Sequence, residues 1–197
     1  LTNFNKIFEF EQQLAEFTGA NYAVMTDCCT HAIELCLRIN CVRYCEFTAF
    51  TYLSVPMTMH KLDITYKLMP EYWIGEYQFN GTNIWDSARR LEKNMHRKGT
   101  MQCLSFGWDK PLAIGRGGAI LLDDKDAYDR LILMRYDGRD LNTIPWQDQK
   151  TFVVGYHYKP TIEEAIKGLE LFQSIKVDNP TPKKVQYPDL RKITILD

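Results

Sequence analysis

Apolar residues in "FNKIFEFEQQLAEFTG" fall at positions 4, 7, 8, 10, 14 and 17, close to a helical period, and Gly19 stands behind them as a stop. The pattern predicts a first helix. The run "YAVM" then has strand character, and the polar turn "TDCC" leads into "THAIELCLRI", where Ala32, Ile33, Leu35, Cys36 and Ile39 mark the buried stripe of a second helix. "CEFTAFTYLSVPMTMHKL" reads as strand, loop and a helix beginning near Ser54 with Pro56 in its first turn. "DITYKLM", "TNIWD", "TMQCLSF" and "GGAILLDD" are further strands, and "KDAYDRLILMRYDG" is a helix closed by Gly138. "TIEEAIKGLELFQSIK" is an amphipathic helix, with Thr161 as N-cap and Glu163 and Glu164 where the helix dipole favours acids. Strands alternating with helices predict an α/β fold: a three-layer α/β/α domain with a mainly parallel sheet. The stretch from Asp178 holds three of the eight prolines and several charges. It is expected to be an extended tail, 178–197, behind one domain at 1–177.

Composition changes this picture little. Of 197 residues 45% are hydrophobic and 25% charged, ordinary for a globular chain, and one α/β unit is the simplest expectation at that length. The net charge of −1 offers no attraction for nucleic acid or an anionic membrane, so neither is expected as a partner. No apolar run reaches the length of a membrane span, and "LTNFNKIFEFEQQL" lacks a signal-peptide layout, which makes the cytoplasm the expected location. The six cysteines, at 28, 29, 36, 41, 45 and 103, form no CxxC pair. They read as reduced thiols, with no metal site expected.

Three strand ends carry the candidate chemistry. "TDCCTHA" places the amides of Cys29 and Thr30 and the Thr30 hydroxyl at a predicted helix N-terminus, a site suited to phosphate, although a threonine there is also a common cap. "NIWDSAR" ends a strand at Asp86, either a turn residue or a carboxylate placed where ligands of such folds bind. "LSFGWDKPLAIGRGGAI" sets Lys110 between aromatics and a glycine-rich turn, five residues after Ser105. Lys110 is either a solvated loop residue or an amine wanted for chemistry. Together these groups fit pyridoxal 5'-phosphate, which needs an amine for a Schiff base, an acid for its ring nitrogen and donors for its phosphate. Tyr52 in "TAFTYLSVP" is available to stack on the ring.

The ordered set resembles the DegT/DnrJ/StrS family of sugar aminotransferases, a branch of the aspartate-aminotransferase-like fold, from about Phe8 to Phe172. "DCCTHAIEL" occupies the place of its Ser-Gly-Thr phosphate loop, "TYLSVP" that of its Thr-aromatic motif, "WDSA" that of its Glu-Asp-x-Ala strand end, and "SFGWDK" matches its Ser-Phe-x-x-x-Lys motif. The resemblance implies a fold-type I large domain with Lys110 as catalytic, cofactor-holding lysine and Asp86 on the pyridine nitrogen. It puts Ser105, Cys29 and Thr30 on the phosphate, Tyr52 on the ring face and Arg89 beside the ring oxygen. "GYHYKPTIEEAIKGLELF" resembles the segment that reaches the neighbouring subunit's cofactor. It implies a homodimer with shared active sites and His157 on the partner's phosphate.

The departures are specific. Against the family pattern the C-terminal small domain is expected to be largely missing, Arg89 replaces a His or Gln, His157 an Asn and Lys159 an Arg, and Cys29 puts a side chain where glycine allows close approach to phosphate. The implied activity is transfer of an amino group from an amino acid, glutamate first, to a keto sugar carried on a nucleotide. The alternative is a non-catalytic homologue that keeps the fold and the cofactor.

Overall fold

The computed structural model describes residues 4–141, 145–175 and 187–195. The first helix, α1 (Asn5–Thr18), buries Ile7, Phe10, Glu11, Leu14, Ala15 and Thr18 along one face, and Gly19 ends it in the left-handed region at φ 78°, its N–H bonded to the Ala15 carbonyl. Then follow β1 (Tyr22–Thr26), α2 (Cys29–Ile39), β2 (Tyr44–Thr48), α3 (Ser54–Lys61) and β3 (Thr65–Met69). After them come β4 (Tyr77–Gln78), β5 (Ile84–Asp86), β6 (Met101–Ser105), β7 (Gly118–Leu122), α4 (Lys125–Met134) and α5 (Ile162–Phe172). All the predicted helices and strands are present; β4 is additional.

The expected mainly parallel sheet is corrected. The main sheet has the order β1-β7-β6-β5-β4, and within it only β5 and β6 run parallel. A second sheet pairs β2 with β3 in parallel. Parallel neighbours need a crossover, usually a helix. Here the chain leaves β6 into a loop that closes on itself, through Gly115 N–H to the Phe106 carbonyl at 2.9 Å and Phe106 N–H to the Gly117 carbonyl at 3.0 Å. It returns as β7 antiparallel to β6. β4 and β5 are a hairpin turned at Gly81, where φ is 87°.

Three layers are nonetheless present. Along β7, Ile120 and Leu122 join the core formed with α2, α3 and α4, while Ala119 and Leu121 join the core formed with α1 and α5. β1 divides in the same way, Val24 against Ala23 and Met25, which is the period-2 alternation of a sheet covered on both faces. α5 starts with a capping box, Thr161 and Glu164 each accepting the other's backbone N–H. The expected 177/178 boundary lies outside the described residues. Of the expected tail, residues 187–195 lie against the domain: Leu190 is buried and its N–H meets the Ala49 carbonyl at 3.0 Å. No described helix is long and apolar enough to cross a membrane.

Candidate active site

One cavity of about 450 Å³ collects most of the residues singled out in the sequence: Cys29, Thr30, Tyr52, Asp86, Arg89, Ser105 and Lys110. It opens at the carboxyl ends of β5 and β6 and at the N-terminus of α2. β6 ends at Ser105, and the chain turns at once, with Lys110 N–H bonded to the Gly107 carbonyl at 3.1 Å. The Lys110 stem runs back past Gly107, 3.6 Å from where a Cβ would stand there. The Lys110 side chain is 12% exposed, so it is not a solvated loop lysine.

Asp86 closes β5 and is 5% exposed. Tyr77 donates its hydroxyl proton to Asp86 Oδ2 at 2.9 Å, Ala88 N–H donates to Oδ1 at 2.9 Å, and the Thr51 hydroxyl meets that of Tyr77 at 2.7 Å. Burial pushes the Asp86 carboxyl above its usual range, and Ala88, Tyr77 and Lys110 offset this only in part. No cation forms a salt bridge with Asp86 among the described residues. A buried carboxylate so oriented is fit to hold a proton on a ring nitrogen.

The α2 N-terminus has Cys28 as an extended N-cap without a side-chain cap, so its first amides are left for an anion. The Cys29 side chain, expected to crowd that site, turns toward the Cys103 carbonyl at 3.7 Å. Thr30 shares a 2.7 Å hydrogen bond with Ser54, a second hydroxyl in the cavity wall. Gly118 lets β7 pass directly beneath: a Cβ there would lie 2.5 Å from the Cys29 nitrogen. These donors, the amine and the buried carboxylate fit the demands of pyridoxal phosphate.

His157 does not join the cavity. It is 70% exposed at the side chain and pairs with Asp137 at 3.0 Å. Tyr52 stands at the mouth, 62% exposed. The sequence reading missed Trp73, Asp109 and Tyr187 as cavity residues. Tyr187 comes from the expected tail, stacking on Trp73 at 6.2 Å and meeting Tyr52 edge-on at 6.5 Å. Asp27, Cys28 and His31 bring one donor atom each within 4.8 Å of one another. Arg116, on the cavity rim, pairs with Asp27 at 3.1 Å. All six cysteines are free.

Comparison with known proteins gives the family and the fold. The model of the DegT/DnrJ/EryC1/StrS aminotransferase family matches residues 1–65 and 86–177. GDP-perosamine synthase of Caulobacter vibrioides is 24% identical over 86% of this chain and 57% of its own length. Helicobacter pylori PseC, an aminotransferase involved in the biosynthesis of pseudoaminic acid, superposes with a TM-score of 0.72 at 15% identity, over 86% of this chain and 58% of the other. GDP-4-keto-6-deoxymannose-3-dehydratase with a trapped PLP-glutamate geminal diamine gives 0.70 at 16% identity, over 86% and 61%. The chain thus spans little more than half the length of the relatives it matches.

Proposed function

The chain belongs to the DegT/DnrJ/EryC1/StrS aminotransferase family, and from that premise we propose that it binds pyridoxal 5'-phosphate and transfers an amino group from an amino acid, glutamate first, to a keto sugar carried on a nucleotide. The observation that carries the reading is one cavity holding both a shielded lysine amine and a buried carboxylate without a salt-bridge partner among the described residues. When bound, the cofactor supplies a cationic ring that accepts the electron pair left behind by a departing proton. Asp86 would hold the proton on the ring nitrogen, with its own oxygens oriented by Tyr77 and Ala88. Lys110 would hold the cofactor and act as base, taking and returning a proton at Nζ. The α2 amides at Cys29 and Thr30, the Thr30 hydroxyl and Ser105 would hold the phosphate. Tyr52 would cover the ring face and Arg89 would stand at the ring oxygen. In a homodimer the exposed His157 would reach the phosphate in the other subunit, and sedimentation should then show a dimer.

A second reading keeps the fold and the cofactor but not turnover. The absorbance spectrum separates the two. Added pyridoxal phosphate should give a visible band that Lys110→Ala abolishes, and glutamate should convert the band if the chain is an enzyme. A band unchanged by glutamate favours the binder, and no band at all excludes both.

A further inference from the structure

Resting on the reading above, the geometry points to a subsite for the amino donor's carboxylate: we propose that Arg89 anchors it and that Asp109 holds its place until the donor arrives. Arg89 Nη2 reaches Asp109 Oδ2 at 2.5 Å and Nη1 reaches the Asp109 carbonyl at 3.2 Å, while Asp109 Oδ1 lies 3.6 Å from Lys110 Nζ. An internal carboxylate therefore spans the guanidinium and the amine. An α-amino acid carries its carboxylate about 3 Å from its amine, a span fixed by its bond lengths and angles. A donor whose amine reaches the position of Lys110 Nζ brings its carboxylate to where Asp109 now lies.

Two further features suit Arg89 to this role. Its Nε is buried without a hydrogen-bond partner, which leaves donor capacity on a group built for bidentate carboxylate recognition. Tyr187 lines the same cavity, near enough for the Arg89 charge to offset part of the upward push that burial gives its phenol. Asp109 is the exchangeable member. It sits on the turn after β6 and is 30% exposed at the side chain, against 19% for Arg89.

The test compares glutamate with 4-aminobutyrate, which is glutamate without the α-carboxylate. Trp73 and Trp108 line the cavity, so their fluorescence reports binding to the cofactor-free chain, and the visible band reports it on the loaded chain. Arg89→Gln should raise the half-saturating glutamate concentration about 10-fold or more, the loss of a charged hydrogen bond to a partly shielded carboxylate. The value for 4-aminobutyrate should rise far less than that for glutamate, and Arg89→Lys should restore part of the difference. Asp109→Asn should lower the glutamate value, because the internal competitor is gone. If Arg89→Gln keeps the cofactor band but shifts neither amine, or shifts both equally, the subsite is wrong. If Asp109→Asn weakens glutamate, the Arg89–Asp109 pair is only a clamp on the turn. Absence of the band in the unsubstituted chain would overturn the pyridoxal reading itself, and the subsite with it.

Discussion

His31 shows how one side chain can tie the rim of the site to stability. Its Nδ1 lies 2.6 Å from Asp27 Oδ1, and its ring stacks on Tyr158 at 3.7 Å. Burial pushes the imidazole down, but the hydrogen bonds to Asp27 and Cys28 outweigh it and hold the pKa up at about 9. An unfolded histidine titrates near 6.5. The pairing therefore stabilises the fold fully below about pH 6.5, and that contribution is lost as pH rises through 9. Thermal melts at pH 6.5 and 9.5 should show a falling Tm, and His31→Gln should remove that part of the fall. Position 31 carries no such message in one dimension. A lone histidine beside a helix start gains meaning only once α2 sets Asp27 one turn behind it. Lys110, Asp86, Ser105, Thr30 and Tyr52 were legible because each sits at a strand end or turn with a recognisable neighbour. Tyr187 was not, since its place depends on the backbone contact of Leu190 with Ala49, which no local pattern encodes.

At the scale of elements, the contact that shapes the site is β7 against the N-terminus of α2. Cys28 forms an isolated bridge with Gly117, and Gly118 lies beside it. A methyl group at 118 would meet the Cys29 nitrogen at 2.5 Å and the Cys28 carbonyl carbon at 2.6 Å, both backbone atoms that cannot rotate away. Gly118→Ala should cost about 1–3 kcal/mol in urea denaturation, the usual penalty of overpacking. It should also weaken pyridoxal phosphate binding, measured by titration of the visible band, because the α2 amides move. A loss of stability with no loss of affinity would show that the phosphate is held elsewhere. The elements themselves were readable from their periods. Their directions were not: with no helix between β6 and β7 the return is antiparallel, and the 12 residues of that loop gave no sign of it beyond their glycines.

Across the whole molecule, Glu11 and Arg135 join α1 to the end of α4 over β1. Both are nearly fully buried, at 3% exposure each, and form an ion pair. Met25 completes the network, its N–H donating to Glu11 at 2.6 Å and its carbonyl accepting from Arg135 at 2.6 Å. Burial raises the Glu11 carboxyl, and Arg135 offsets this only in part. Glu11→Ala would leave a buried guanidinium without its carboxylate and should cost about 3–5 kcal/mol in denaturant unfolding. Glu11→Gln, which keeps the Met25 acceptor, should cost less. A cost near zero for Glu11→Ala would mean that water reaches Arg135 across the layer between helix and sheet.

The order of residues alone determined the helices, the strands and the identity of the lysine motif, because capping, periodicity and motif spacing are local properties of the chain. It also carried the family resemblance. Only the tertiary structure decided which strands pair and in which direction, which acid faces which cation, and that Tyr187 lines the cavity. Those outcomes depend on burial and on contacts between residues far apart in the chain, where the competition between desolvation and pairing is settled by distance in space.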